Sequence, residues 1–360
     1  MSRKVRAALI GVGGYSGRNV VPYIREFENV EFVAVCDVNL ALARRVARRI
    51  GASLATDDYR HVLARPDVEM VELQTPNYLH AEQAVAAFEA GKHVFSQKPM
   101  ARTVDEARRM IRAGRRAGRL LGVYMDGYDD PSLWDMKDAI RAGFIGRPAG
   151  FRLRYAHQGG LALAPDAWRK SADRTGGGCF LLLTVHLVNA VPWLFDTRIT
   201  RVTGFMKTLL APMEGDDSTA GALELANGLV GGAEASYIAA GSLDIPNTAL
   251  EIRGTDGAFR QQRDDGLIYA YSAKEKFSGR LIVYDRPGKT VKYKRPRRGK
   301  LDVKLRPTVH ERFAGAILGG EPYVCPGEQG LQDLAVCLAM AESARTGCAV
   351  DLEKFIGEAP

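Results

Sequence analysis

The chain has 360 residues, of which 46% are hydrophobic and 26% charged, with a formal net charge of +8. That length exceeds what a single core usually fills, so two domains are expected, with the composition of an ordinary soluble globular protein. No apolar run approaches the ~18 residues of a membrane-spanning helix, and MSRKVR leads into only a short apolar stretch before glycine. No membrane partner is therefore expected, and the chain reads as cytosolic.

The five cysteines, Cys36, Cys179, Cys325, Cys337 and Cys348, stand apart, with no CxxC pair and no histidine at metal spacing. They argue for buried free thiols and against both a disulfide framework and a metal site. The positive charge is local. Lys289, Lys292, Lys294, Arg295, Arg297, Arg298, Lys300, Lys304 and Arg306 against Asp302 carry the whole excess. With Tyr293 as its only aromatic and no known binding module around it, this stripe reads as a solvated loop or edge hairpin rather than a nucleic-acid surface.

In chain order, Val5 to Ile10 predicts a first strand and Val30 to Cys36 a second. Asn39 caps a helix whose Leu42, Val46 and Ile50 share one face and which stops at Gly51. Strands follow at Val68 to Leu73, His93 to Ser96 and Leu120 to Tyr124, with helices near Tyr78 to Ala90 and Val104 to Ala117 between them. This alternation predicts a parallel α/β sheet over residues 1–125. After it come a helix from Ser132 to Arg141 stopped at Gly143, a strand from Phe151 to His157, and a helix near Cys179 to Phe195. Further strands are expected at Arg201 to Leu209, Gly221 to Leu225, Val230 to Tyr237, Thr248 to Arg253 and Leu281 to Tyr284, then closing helices near Val309 to Leu318 and Glu328 to Thr346. Residues 126–360 therefore predict an α+β domain, with the last helices packing back.

The first strand runs straight into Gly11-Val12-Gly13-Gly14-Tyr15-Ser16-Gly17, close to GxGxxG with Ser16 in the third glycine slot. Here the first glycine permits a tight turn, the second lets backbone approach a pyrophosphate, and the third position must be small for helix and strand to pack. The following helix offers unpaired N–H groups to phosphate. Asp37 lies 21 residues after Ser16 at the end of the second strand, where a carboxylate can accept hydrogen bonds from a ribose and repel a 2′-phosphate. No arginine directly follows it, although Arg44 and Arg45 lie a helical turn or more away. Strand, glycine loop, helix, strand and acid together predict a Rossmann domain that binds NAD rather than NADP.

Thr75-Pro76-Asn77 with His80, Gly91-Lys92-His93-Val94, Gln97-Lys98-Pro99 and the Gly143 to Gly146 segment resemble the Gfo/Idh/MocA family. The likeness continues through Trp168-Arg169, Gly176-Gly177-Gly178, His186, Gly320-Glu321-Pro322 and Ser343-Ala344, so it covers nearly the whole chain. The resemblance implies a Rossmann domain followed by a domain built on a large, mostly antiparallel sheet, and a homodimer or homotetramer joined through the sheet's exposed face. It also implies that Gly11, Gly13, Gly14, Tyr15, Ser16, Asp37, Thr75, Pro76, Asn77, His80, Gln97 and Lys98 bind the dinucleotide.

In that family an EKP tripeptide supplies a catalytic lysine, and a GGG-x3-D-x3-H segment supplies an aspartate and a histidine. This chain keeps Lys98 and His186 but has Gln97 in the glutamate slot, Leu182 in the aspartate slot and Asn189 in place of a later acid. Lys98 is expected as the main acid/base group, assisted by His186. Taken alone, the first would be a surface lysine before a proline and the second a core histidine. Tyr128, Tyr155, His157, Trp168 and Arg169 are expected near a sugar-like small molecule, since such a ring offers an apolar face and many hydroxyls.

The leading expectation is hydride transfer between NAD(H) and a hydroxyl or carbonyl of a sugar, polyol or sugar acid. A redox-neutral oxidation and elimination of a glycoside is one alternative. A noncatalytic dinucleotide and sugar sensor is the other.

Overall fold

The computed structural model describes residues 3–240, 248–262, 266–294 and 307–357. Two compact units emerge: one runs to Met125 and resumes from Pro307 to Gln332, and the other starts at Asp126 and resumes at Asp333.

The first unit holds a six-stranded parallel sheet of β1 (Val5–Ile10), β2 (Val30–Cys36), β3 (Leu54–Thr56), β4 (Met70–Leu73), β5 (His93–Gln97) and β6 (Leu121–Tyr124). Its order is β3-β2-β1-β4-β5-β6, the doubly wound arrangement that places a ligand crevice at the strand ends. Central strands of such a sheet are covered on both faces, so β1 and β4 are apolar almost throughout rather than alternating. The three-residue edge strand β3 was missed, since it is too short to carry a period. The expected helix caps are present: Asn39 accepts from Leu42 N, and Gly51 takes a left-handed conformation.

The closing helix Val309–Ile317 begins with a capping box formed by Thr308 and Glu311. Its Phe313 stacks on Phe95 with centroids 4.9 Å apart, and Tyr323 donates its hydroxyl to the carbonyl of Val123. The returning chain thus completes this unit's core.

The second unit is built on β7 (Pro148–Ala156), β8 (Ile199–Lys207), β9 (Ser218–Leu225), β10 (Val230–Ser236), β11 (Thr248–Gly254), β12 (Gly257–Gln262) and β13 (Leu267–Ser272). A small hairpin, β14 (Phe277–Ser278) with β15 (Val283–Tyr284), stands apart, while β16 (Val291–Lys294) and β17 (Val350–Asp351) end the large sheet. That sheet runs β16-β13-β12-β11-β7-β10-β9-β8-β17 and is antiparallel except where β7 lies parallel to β10.

β12 and β13 depart from the expected set of strands: their glutamines and tyrosines dilute the apolar signal, although four residues of β12 and three of β13 are buried. The strand expected from Leu281 shrinks to Val283–Tyr284. The segment Ala172–Leu194 is apolar enough in length and hydropathy to cross a membrane, where no such run is expected, but 83% of its apolar window is buried inside the protein. Cys348 is exposed, whereas Cys36, Cys179, Cys325 and Cys337 are buried free thiols. Of the basic stripe, Val291–Lys294 forms an edge strand, and Arg295, Arg297, Arg298, Lys300, Lys304 and Arg306 lie outside the described residues.

Candidate active site

In the first unit, Gly11 ends β1 with φ +89°, and a Cβ there would stand 2.8 Å from the backbone carbonyl of Gln74. Only glycine permits both that angle and that approach. At Gly13 and Gly14 the opposite holds: a Cβ would meet nothing within 4 Å, so the backbone borders open space that a pyrophosphate can enter. Tyr15 packs edge-on to Tyr124 at 6.1 Å, and Ser16 is buried at 1% exposure in the short helix Gly14–Asn19.

Asp37 holds the mouth of this loop. Its Oδ2 accepts from Val12 N at 2.9 Å and its Oδ1 from Asn39 N at 2.9 Å, tying β2's end to the glycine turn. Val38, which follows it, is 92% exposed, so a short apolar side chain stands where a cation would favour a 2′-phosphate. The cradle, the open space over Gly13 and the acid together fit a dinucleotide with a free ribose 2′-hydroxyl.

The Thr75-Pro76-Asn77 turn and the Gln97-Lys98-Pro99 segment are joined by His80, which is 1% exposed. Its Nε2 lies 2.8 Å from the carbonyl oxygen of Thr75 and its Nδ1 3.1 Å from that of Pro99. Burial pushes the imidazole's pKa down, while the two carbonyls oppose that shift. His80, expected among the cofactor contacts, is instead a clamp between two loops. Thr75 donates its hydroxyl to Gln83, and Asn77 is buried at 2%. Gln97 is 9% exposed; its Oε1 accepts Lys98 N at 2.8 Å and its Nε2 donates to Gln74 Oε1 at 2.9 Å. The Lys98 backbone is thereby fixed.

The second unit holds the other candidates. Gly178 is forced by packing: a Cβ there would sit 2.1 Å from Asp216 O, and its N–H donates to Asp216 Oδ1 at 3.0 Å. Next comes a π-helical turn, Phe180–Thr184, leading into the helix Val185–Leu194. Such turns recur at functional sites because the extra residue re-aims the side chains that follow. Leu182 is 6% exposed within this turn, so the replaced acid slot is ordinary core.

His186 Nδ1 lies 3.0 Å from Asp126 Oδ1, with side-chain exposures of 8% and 23%. The contact has the distance of an ion pair. Asp126 was not foreseen, since it lies at the junction of the two predicted domains and in no motif. Tyr155 lies nearly parallel to the His186 ring at 6.1 Å, and His157 meets Tyr155 edge-on at 6.3 Å. His157 Nδ1 accepts from Gly159 N at 2.9 Å, which leaves its proton on Nε2, and burial lowers the ring's pKa.

Other expected substrate residues divide. Arg169 is exposed, with its guanidinium 4.9 Å from the centroid of the Trp168 ring, so one face of that ring is already occupied. Tyr237 lies 5.0 Å from the His157 ring, and the same positive charge partly offsets the upward push that burial gives its phenol. Tyr128 is the exception: it is 1% exposed and packed against Trp193 at 5.2 Å and Trp134 at 6.4 Å, so its ring is core and not a sugar contact. Asn189 donates to Asp333 Oδ2 at 2.6 Å deep in the same unit, a structural pairing. Among the described residues, no group of three or more His, Cys, Asp or Glu side chains is placed to hold a metal ion.

The chain matches an oxidoreductase family with an NAD-binding Rossmann fold over residues 5–125, and the GFO/IDH/MocA C-terminal domain over residues 133–260. It is similar to 1,5-anhydro-D-fructose reductase of Ensifer adhaerens, 29% identical over 97% of this chain and 98% of that protein. It is also similar to levoglucosan dehydrogenase of Pseudarthrobacter phenanthrenivorans, 29% identical over 67% of this chain and 68% of that one. Among solved structures, a levoglucosan dehydrogenase in complex with NADH and levoglucosan superposes with a TM-score of 0.81 at 25% identity, covering 97% of this chain and all of that one.

Proposed function

The chain belongs to the Gfo/Idh/MocA oxidoreductase family, and from that membership we propose that it transfers a hydride between NAD(H) and a secondary hydroxyl or carbonyl of a sugar, polyol or sugar acid. When bound, the nicotinamide supplies the hydride acceptor or donor. The observation that carries the reading is the Asp37 carboxylate, pinned by Val12 N and Asn39 N beside the open glycine loop. It favours an unphosphorylated ribose.

The protein's own groups handle the proton. Lys98, its backbone anchored through Gln97, takes the hydroxyl proton at Nζ during oxidation and returns it during reduction. His186 is the second acid/base group of this reading, with Asp126 stabilising its cationic form in place of the acid that Leu182 cannot supply. His157 Nε2–H, the Tyr155 hydroxyl and Arg169 are donors for other hydroxyls of the substrate, and the Trp168 ring suits its apolar side. What joins the two groups of residues in this reading is the order of motifs shared with the family.

The reading includes a cytoplasmic homodimer or homotetramer without nucleic-acid or membrane partners. Phe205 on β8, 78% exposed, and Val230 on β10, 55% exposed, support association through the second unit. Tight, salt-dependent binding to DNA or RNA at physiological ionic strength would count against it.

The test is a panel of sugars, polyols and sugar acids incubated with NAD or NADH and scored for both nicotinamide absorbance and product. NADH formed in step with substrate loss supports hydride transfer. Product without net NADH would replace it with oxidation and elimination, and binding of both ligands without turnover would make the chain a sensor.

A further inference from the structure

Glu72 is an anomaly in β4: a carboxylate with no exposed surface in the middle of a parallel strand, paired with neither lysine nor arginine among the described residues. Burying such a group is costly unless donors satisfy it. Its Oε1 has two donors, Gln74 Nε2 at 2.6 Å and His310 Nε2 at 3.1 Å, while its Oε2 is buried without a hydrogen-bond partner among the described residues. His310 is itself fully buried, stacked on Phe27 at 4.5 Å and met edge-on by Tyr124 and Phe95, and its Nδ1 has no partner among the described residues. Nε2 is therefore the donating nitrogen.

From Glu72 the hydrogen bonds run in one direction. A carboxylate only accepts, so Gln74 must turn its NH2 toward Glu72 and its carbonyl toward Gln97. Gln97 then presents its NH2 to Gln74 at 2.9 Å, which leaves its carbonyl for the backbone N–H of Lys98 at 2.8 Å. Every donor points away from Lys98 and toward the buried acid.

We propose that Glu72 is a positioning residue for Lys98: the negative charge that the family keeps at the residue before the lysine sits here on Glu72, two side-chain amides further in. This rests on the reading of Lys98 as the proton-transfer group. The chain of amides explains why position 97 is glutamine. A carboxylate at 97 would leave Gln74 between two acceptors, with its carbonyl facing one of them, so only one acid fits in the line. Keeping that acid away from Lys98 also removes an anion from beside the lysine, while the polarised amides still hold its backbone.

The swap is the test. Gln97→Glu alone and Glu72→Gln alone should each lower kcat by about tenfold or more, since small misplacements of a reacting group are expensive, with the KM for NAD nearly unchanged. The double variant Glu72→Gln, Gln97→Glu lets Gln74 turn over and restores one acid in the line, so kcat should recover to within about threefold of the wild type. Residues that merely fill space would give additive losses, and a double variant no better than the worse single one overturns the proposal. If Glu72→Gln does not fold, Gln97→Met decides: it keeps the volume and removes both amide contacts, and wild-type kcat in that variant also overturns it. Lys98→Met separates the two ideas, because near-native turnover there refutes the role of Lys98 whatever the swap shows.

Discussion

Asp126 Oδ1 lies 3.0 Å from His186 Nδ1, so the histidine has a carboxylate partner from a residue outside the GGG-x3-D-x3-H pattern. Leu182, in the motif's acid slot, is buried core. A carboxylate at this distance favours the imidazolium and orients the ring. Asp126→Asn keeps the shape and removes the charge. It should lower kcat by roughly 10-fold to 100-fold and leave NADH affinity almost unchanged, as read by steady-state kinetics and NADH fluorescence titration. Unchanged kcat would remove Asp126 from the mechanism.

Lys98 and His186 are ranked by their parts in the proton transfer. Lys98→Met should cut turnover by about 100-fold to 10,000-fold with little change in cofactor affinity, and His186→Ala should cut it less. The measurement is kcat on a verified substrate. Near-native turnover in Lys98→Met would pass the proton to another group and refute the role of Lys98; His157, with its Nδ1 already accepting Gly159 N and its proton on Nε2, could only deliver a proton in the reduction direction.

Cofactor choice depends on Asp37. Asp37→Ala removes the acceptor of Val12 N and Asn39 N and the charge that repels a 2′-phosphate. The ratio of kcat/KM for NAD over NADP should fall by about tenfold, the scale of one charge-assisted hydrogen bond. An equal or better kcat/KM with NADP in the unaltered protein would refute the assignment.

Acid should destabilise the fold before it protonates most carboxylates. The His93 ring is pushed down to about 4 by burial, with Arg119 adding to the effect, and its Nδ1 accepts Leu120 N at 3.0 Å, which requires an unprotonated nitrogen. Between pH about 4 and 6.5 the unfolded chain therefore binds the extra proton and the folded chain does not, so stability is lost as the pH falls through that window. The loss for this one residue is about 2 kcal/mol at pH 5. Buried His80 shifts in the same direction and adds to it. Urea denaturation at pH 7 and pH 5 measures the difference. His93→Asn, whose side-chain carbonyl can accept Leu120 N–H, should flatten it, and an unflattened profile would exclude His93 as the source.

Local rules were enough for the cofactor half of this protein. The glycine run, the Asn39 cap, the left-handed Gly51 and the acid after β2 lie within a few tens of residues of one another, and each follows from steric or capping rules that act along the chain. The sequence by itself therefore determined the Rossmann domain, its NAD-binding motif and the identity of Lys98 and His186 as the residues to test. Tertiary structure alone decided which side chains serve them. Glu72 and His310 are 238 residues apart, and the acid looked like one polar residue in an apolar strand until a distant helix and Gln74 gave it donors. Asp126 became the partner of His186, and Tyr128 became core, because burial and pairing are set by what the folded chain brings alongside. No period or motif encodes those approaches, since their free energy comes from desolvation and long-range packing that exist only once the sheets are assembled.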